Sequence, residues 1–166
     1  MALRKRKLAA TMVTLLSFFG LATVAFGLPP FTTAPKSSPE GSGQAEVFGI
    51  ATGCHRTFDR LVVRTRSGTP GYRVRYVRRV FEDATGRPVR LRGRKRLLVV
   101  IRNARGHTEG GTNLLPQVRT PLCPNLRQLK NAGDFEGIVT LGLGLRRKAG
   151  FRVFRLSGRI VVDIKH

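Results

Sequence analysis

The chain has 166 residues, the size of one ordinary domain, and this length excludes a large enzyme or a multidomain assembly. It carries 31 lysine and arginine residues against nine aspartate and glutamate residues, which gives a formal net charge of +22. A hydrophobic fraction of 41% excludes a disordered basic tail, because disorder requires a low apolar content. Twenty-four of the cations are arginine. This bias has two interpretations. The arginines form a surface that is merely solvated, or they form a surface whose long-range electrostatic field attracts polyanions.

The first residues have the pattern of an export signal. Met1–Lys7 contains four cations and no acid, and Leu8–Leu28 contains no charge. The apolar stretch exceeds the roughly 7–15 residues of a cleaved signal and approaches the roughly 20 that span a bilayer. Residues 1–28 are therefore predicted to be a signal peptide cleaved after Gly27 or a membrane anchor. In both cases the cations stay in the cytoplasm and the rest is exported, either secreted or held in the cell envelope by residues 8–28. A buried helix of the domain is the remaining alternative.

The next segment has the composition of a linker. Residues 29–45 are rich in proline, serine, threonine and glycine, a composition that buries no core. We predict a flexible, extended linker here and a folded domain over residues 46–166.

Two cysteines, Cys54 and Cys123, lie in the part predicted to be exported, where oxidising conditions permit a disulfide. We predict that they are bonded to each other. Two free thiols are one alternative, and a metal site that adds His55 and His107 is another. The spacing lacks the paired pattern of metal sites, so no metal is expected.

The domain is predicted to be all β, as an antiparallel sandwich or barrel. Several runs alternate between apolar and polar residues with period two, which is typical of half-buried strands, and Leu97–Ile101 is apolar on both faces, as in a central strand. The predicted strands are Arg60–Arg66, Tyr72–Tyr76, Leu97–Ile101, Ile138–Leu145, Phe151–Leu156 and Ile160–Ile164.

Two places depart from this regular pattern. Within Phe151–Leu156 the apolar residues change face, which predicts a β-bulge. Residues 120–131 are the one segment predicted to hold a short helix, with Leu126 and Leu129 facing inward.

Four short motifs lie at the starts of the predicted strands or within them. They are Phe58-Asp59-Arg60, Pro70-Gly71-Tyr72-Arg73-Val74, Asp134-Phe135-Glu136-Gly137 and Val161-Val162-Asp163-Ile164. With these motifs the chain resembles the AMIN-like domain of exported bacterial envelope proteins. The resemblance covers nearly all of residues 46–166. It implies an antiparallel β-sandwich with a role in attachment to cell-wall material. The AMIN-like group has no established catalytic residues, so the resemblance assigns none here.

Other chemistry finds weak support in the spacing of the residues. Asp134 and Glu136 would share one strand face, as a general acid/base pair does, but we expect Asp134 to cap a turn and Glu136 to pair with an arginine. The three histidines, His55, His107 and His166, have no partner at an interpretable spacing and are expected at the surface. No serine lies in a nucleophile elbow. We predict no catalytic residue and no cofactor.

Two glycines two residues apart, Gly142 and Gly144, lie within a predicted strand and not before a helix, so they do not form a phosphate loop. They leave a smooth strip on one strand face, which permits close packing or a bulge. A ligand groove along the strip is the alternative.

Arginines alternate with core residues along three segments, so they are predicted to face solvent. If those segments are neighbours, the arginines form one continuous cationic face whose guanidinium forks match phosphate and carboxylate groups. The predicted anion-binding residues are Arg64, Arg66, Arg73, Arg75, Arg90 and Arg92. Outside the membrane the available partners are an anionic cell-wall polymer, acidic peptidoglycan groups or an anionic lipid surface. Nucleic acid is an unlikely partner for an exported domain without a recognisable nucleic-acid-binding motif.

These observations predict a noncatalytic envelope-binding module. A protein–protein docking domain of the cell envelope is the alternative, and a small hydrolase is a distant third.

Overall fold

The computed structural model describes residues 27–166, and the predicted export segment lies almost entirely outside them. No helix within residues 27–166 has the length and apolar character needed to cross a membrane. The described part contains eleven strands. They are β1 (Lys36–Ser38), β2 (Ala45–Cys54), β3 (Phe58–Arg66), β4 (Gly71–Val77), β5 (Lys95–Arg102), β6 (Ala104–Arg105), β7 (Val118–Arg119), β8 (Leu126–Phe135), β9 (Ile138–Leu145), β10 (Phe151–Leu156) and β11 (Arg159–Lys165).

The strands form two sheets that pack as a sandwich, as the sequence predicted. One sheet has six strands in the order β1-β4-β5-β9-β8-β7, and the other has five in the order β10-β11-β3-β2-β6. All pairings are antiparallel except the short parallel pair of β2 and β6. The inner faces of both sheets supply one core of aliphatic side chains with Tyr72 and Phe151.

Period-two alternation located most of the strands correctly. In β3 the side chains of Leu61 and Val63 are fully buried, while Arg64 is exposed. The doubly apolar strand β5 lies between β4 and β9, which confirms its central place. Alternation succeeds here because one face of each strand packs on the core and the other faces away from it.

The predicted helix over residues 120–131 is wrong. Residues from Leu126 onward form β8, and the pairing of β8 with β9 shifts register between Leu126 and Gln128. The bulge adds one residue, so Leu126 and Leu129, three apart in sequence, are both fully buried. A bulged strand thus imitates the spacing of a helix.

A similar irregularity explains why alternation did not predict the strand β2. The pairing of β2 with β3 shifts register between Val47 and Gly49, so that Val47 and Ile50 are both buried while Phe48 is exposed. The bulge interrupts the alternation on which the other predictions rested.

The bulge predicted within β10 is absent, because Phe151–Leu156 pairs with β11 in unbroken register. The change of face has another cause. Phe154 lies on the outer side against the guanidinium groups of Arg60 and Arg152, at 5.7 and 5.8 Å from its ring centroid. Arg155 takes an inward position at the edge of the sandwich and donates to the carbonyl oxygen of Pro39 at 2.8 Å.

Part of the predicted linker is a strand of the sandwich. Lys36–Ser38 pairs with β4, and Thr32 exchanges backbone hydrogen bonds with Phe151. The segment covers the edge of β4, which would otherwise present unpaired backbone groups. Its proline-rich composition is compatible with this short edge strand. The expectation of a flexible linker over residues 29–45 therefore does not describe this segment.

The predicted disulfide is present. Cys54 at the end of β2 and Cys123 just before β8 are joined, so the bond links the two sheets across a sequence separation of 69 residues. Because both thiols are used, neither free thiols nor thiolate metal ligands remain at this position.

Reduction of this disulfide should lower the free energy of unfolding by about 4 kcal/mol, because the bond closes a long loop in the unfolded chain. Urea unfolding of the full chain, followed by far-UV circular dichroism with and without reductant, measures the effect. The matched control is the double variant Cys54→Ala/Cys123→Ala, which should show a low midpoint that reductant does not change. An equal midpoint for the parent in both conditions would contradict the prediction.

Candidate functional site

The six arginines predicted to form one face lie on two opposite sides of the sandwich. Arg64 and Arg66 belong to β3 in the five-stranded sheet, whereas Arg73 and Arg75 belong to β4 in the six-stranded sheet. The turn after β3, in which Ser67 and Gly68 adopt positive φ, carries the chain from one sheet to the other. One continuous cationic face required the three arginine segments to be neighbours, and this condition is not met, because β3 and β4 belong to different sheets.

On the outer side of the five-stranded sheet, carboxylates neutralise most of the arginines. Asp163 is fully buried and accepts from Arg60 Nε at 2.6 Å and from Arg152 Nε at 2.8 Å. Arg66 Nε donates to Glu46 at 2.7 Å. The hydrogen bond to Asp163 raises the pKa of Arg60 above its ordinary value, although burial opposes this effect. This side of the sandwich is largely self-paired.

Arg90 and Arg92 lie in a loop and not on a strand, contrary to the expectation that they share a strand face. The loop precedes β5 and rests on the outer side of the six-stranded sheet, the side of Arg73 and Arg75. Its anchor is Leu91, which is buried with Val80 in a small second core. Arg90 and Arg92, on either side of Leu91 in the chain, are exposed.

The glycine strip of β9 makes this packing possible. A Cβ on Gly142 would lie 3.0 Å from the side chain of Leu91, and a Cβ on Gly144 would lie 1.9 Å from the backbone oxygen of Arg92. Gly93 has a φ of +98°, and its position brings the backbone within hydrogen-bond distance of the end of β9, where Arg94 N donates to Leu145 O at 2.7 Å. The close-packing interpretation of the two glycines is confirmed.

The loop ends beside a concavity lined almost entirely by arginine. The register pairs Leu145 with both Lys95 and Leu126, so the end of β9 lies next to the starts of β5 and β8. The concavity is open to solvent on one side and has a volume of about 690 Å³. We call this concavity the arginine pocket; its lining residues are Arg92, Gly93, Arg94, Arg127, Arg146 and Arg147.

A buried polar network holds the backbone beneath the arginine pocket. Asn125 is fully buried, and its backbone oxygen and Oδ1 accept from the backbone N–H groups of Arg146 and Arg147 at 2.8 and 3.0 Å. Its Nδ2 donates to Lys165 O at 2.9 Å. The fully buried carboxylate of Asp59 accepts from the backbone N–H groups of Asn125 and Leu126 at 2.7 and 2.6 Å. The main chain that carries the pocket is thus fixed, while the guanidinium groups are exposed.

A second feature of the same side is an apolar groove of about 1080 Å³. Phe81 and Phe135 flank it, with exposed fractions of 50% and 59%, and Ile138 is also exposed. Arg75, Arg78 and Arg79 line it together with these apolar groups. We call this feature the apolar groove.

One aromatic group at the edge of the apolar groove is fixed by the backbone. Tyr76 donates its hydroxyl proton to Ala149 O at 2.7 Å and accepts from Ala149 N at 3.0 Å. Burial raises the pKa of Tyr76, while the hydrogen bond to Ala149 opposes the shift.

The acidic candidates have structural positions. Asp134 accepts from Gly106 N at 2.9 Å and contacts His107 Nδ1 at 2.7 Å, so it holds the loop after β6. His107 is therefore paired, contrary to the expectation of a lone surface histidine. Glu136 lies with Gly137 in the two-residue turn between β8 and β9, where both have positive φ. It is not on a strand face with Asp134, and within residues 27–166 it forms no ion pair with an arginine.

The other two histidines lie near the start of β3. His55 is exposed and stacks on Phe58 with 4.5 Å between ring centroids, and His166 Nε2 lies 3.5 Å from Asp59.

Four arginines of the pocket were missed in the sequence: Arg94, Arg127, Arg146 and Arg147. The signal for three of them was present as two basic runs next to predicted strands, RGRKR at the start of β5 and RRK after β9, whereas Arg127 lies in neither run. What the sequence did not show is that the start of β5 and the end of β9 lie at the same corner of one sheet.

Comparison with known proteins identifies the family. The model of the AMIN-like domain matches residues 45–166, most of the chain, so the chain belongs to the AMIN-like family. Neither the curated proteins nor the solved structures gave a match. Family membership, together with the disulfide, indicates an envelope-associated module.

Gly144→Ala should destabilise the fold by about 1–3 kcal/mol, because the added Cβ would overlap the backbone oxygen of Arg92 and push the loop off the sheet. Urea unfolding followed by circular dichroism provides the measurement. The matched control is Gly110→Ala, whose Cβ would meet no atom closer than 3.8 Å and which should leave the midpoint unchanged. Equal midpoints for both variants would show that the loop does not depend on this contact.

Proposed function

We propose that this AMIN-like domain is a noncatalytic binding module that attaches to an anionic cell-wall polymer, to peptidoglycan acids or to an anionic lipid surface. The contact is made by the outer side of the six-stranded sheet, where Arg73, Arg75 and Arg90 face outward. We call these three residues the outer arginines. The observation that carries the proposal is a positive charge that the fold itself does not neutralise.

All nine carboxylate side chains of the chain lie within the described residues. Among residues 27–166, the arginines in ion pairs with them are Arg60, Arg66, Arg102, Arg105 and Arg152. Most of the cations therefore remain without an internal counter-charge. A surface of this kind attracts a polyanion from a distance, and its guanidinium forks bind phosphate or carboxylate groups on contact.

The two sides of the sandwich differ in whether their arginines are paired with carboxylates. On the five-stranded side, Asp163 and Glu46 hold four arginines in ion pairs. The outer arginines have no carboxylate partner in the part of the chain that the structure describes. A guanidinium that is already paired has less capacity for an external anion. The six-stranded side is for this reason the proposed binding surface.

Docking to another envelope protein is the second candidate function, and the apolar groove favours it. Exposed Phe81 and Phe135 beside Arg78 and Arg79 suit a partner segment that carries both apolar and acidic side chains. If docking is the function, an envelope protein should remain bound to the domain after the anionic polymers have been removed from the wall material. The substitution Phe135→Ser should release that protein.

The proposal requires that residues 27–166 lie outside the cytoplasm. The basic start and the long uncharged stretch of residues 1–28 support export, and the disulfide fits an oxidising compartment. A reporter that is active only after export, fused after His166, should be active with the full chain. Deletion of residues 1–28 is the control and should abolish the signal. If only a reporter that functions in the cytoplasm is active, the result would contradict export, and nucleic acid would become the leading partner.

Substitution of the outer arginines, Arg73→Gln/Arg75→Gln/Arg90→Gln, should weaken binding to isolated cell-wall material by about tenfold, because three guanidinium contacts of roughly 0.5 kcal/mol each are lost. Binding of the parent should also fall with salt, since exposed charges are screened within about 8–10 Å at physiological ionic strength. Co-sedimentation of the full chain in a mild nonionic detergent measures both effects.

The matched control for this experiment is Arg56→Gln/Arg159→Gln/Lys165→Gln. It removes the same charge from exposed cations outside the proposed surface. Both variants should keep the far-UV spectrum of the parent, because exposed substitutions rarely change stability by more than about 0.5 kcal/mol. Equal binding of the two variants would show that the outer arginines are not the binding surface.

A further inference from the structure

We propose that the arginine pocket is a binding site for a phosphate group that carries several oxygens and more than one negative charge, or for two adjacent phosphodiesters. This inference rests on the proposed function and adds to it the chemical class of the ligand and a place separate from the outer arginines.

The composition of the pocket wall is the first argument. Five of the six lining residues are arginine, and the sixth, Gly93, has no side chain. None of the five forms an ion pair with a carboxylate of residues 27–166. Like charges brought together repel each other, so an anion that enters this space gains from all of them.

The second argument is that the backbone beneath the pocket is fixed. Arg146 and Arg147 are held by Asn125, Arg94 N is bonded to Leu145 O, and Arg92 N is bonded to Gln128 Oε1 at 2.9 Å. The guanidinium group of Arg127 donates to Cys123 O at 3.2 Å, next to the disulfide. A fixed frame lowers the entropy that an anion must remove when it orders the side chains.

The number of guanidinium groups indicates the class of anion. A carboxylate has two oxygens and one charge, and a single arginine fork satisfies it. A phosphomonoester has three terminal oxygens and a charge of about −1.5 to −2, so it accepts from several forks at once. A corner with five arginines therefore fits phosphate better than it fits the carboxylates of peptidoglycan.

The position of the pocket also favours an extended phosphate polymer. Arg92 lies in the same loop as Arg90, which is one of the outer arginines. A chain of phosphodiesters can thus occupy the pocket with two adjacent groups while further groups lie along the outer side of the six-stranded sheet.

The test compares three variants of the full chain in nonionic micelles. The pocket variant Arg94→Gln/Arg146→Gln/Arg147→Gln removes three charges, the lysine variant at the same positions keeps them, and Arg56→Gln/Arg159→Gln/Lys165→Gln is the charge-matched control. Calorimetry measures binding of inorganic tripolyphosphate and of a glutamate oligomer of equal charge. Circular dichroism and the melting temperature confirm that each variant is folded.

The parent should bind tripolyphosphate more tightly than the glutamate oligomer. The pocket variant should lose about tenfold or more in affinity for tripolyphosphate, and the control about twofold or less. The pocket variant loses charge-assisted hydrogen bonds to the anion, whereas the control loses only distant charges whose attraction is screened by salt. The lysine variant should lose affinity as well, since it lacks the fork. An equal loss in the pocket variant and the control, or equal affinity of the parent for both probes, would overturn the assignment.

Two further arms distinguish the source of the phosphate and separate this inference from the proposed function. One uses cell-wall material before and after removal of its phosphate polymers, and the other uses micelles with and without phosphatidylglycerol. If the phosphate polymers or phosphatidylglycerol increase binding of the parent but not of the pocket variant, the result supports the inference and identifies the source of the phosphate. If the parent binds wall material but the pocket variant and the control bind it equally in both arms, the pocket inference fails alone. If the parent binds none of these envelope materials, the proposed function fails, whatever the result with tripolyphosphate.

Discussion

The fold depends on one buried carboxylate that joins the two sheets. Asp59 lies at the start of β3 in the five-stranded sheet, and it accepts the backbone N–H groups of Asn125 and Leu126, which lead into β8 of the other sheet. A carboxylate away from water is costly unless it is hydrogen-bonded, and charge-assisted bonds to backbone N–H groups are among the stronger ones. The disulfide of Cys54 and Cys123 closes the sandwich at the same place. Since Asn125 in turn bonds the residues after β9, the geometry of the arginine pocket begins at Asp59.

The sequence predicted those parts of the fold in which local pattern and tertiary packing agree. Alternation located the strands with one face on the core, and the motif with Asp59 and the one with Asp163 indicated the sandwich family. Two of the failures, the helix predicted over residues 120–131 and the missed strand β2, share one physical cause. A β-bulge places two buried residues three positions apart, as at Leu126 and Leu129, and that spacing is also the signature of a helix. Only the pairing with the neighbouring strand separates the two cases, and pairing is a property of distant residues.

The candidate site was less predictable than the fold. Alternation correctly indicated that Arg64 and Arg73 face away from the core, but it carries no information about which sheet a strand joins. The arginine pocket depends on more distant relations still. It exists because the loop before β5 lies on the glycine strip of β9, where Gly144 leaves room for the backbone of Arg92. The glycine pair was visible in the sequence as a place of close approach, whereas the loop that fills it was not.

The distribution of the few acids explains why the arginines of the pocket have no internal counter-charge. Asp59 and Asp163 are fully buried and serve the frame of the sandwich, and Glu46 pairs with Arg66 on the five-stranded side. These carboxylates stabilise the fold but leave no counter-charge for the corner where β5, β8 and β9 meet. Mutual repulsion among the pocket arginines then opposes folding. The hydrogen bonds around Asn125 must stabilise the folded state by more than this repulsion destabilises it. An anion that binds only the folded state relieves this repulsion, so binding and stability are linked through the same five side chains.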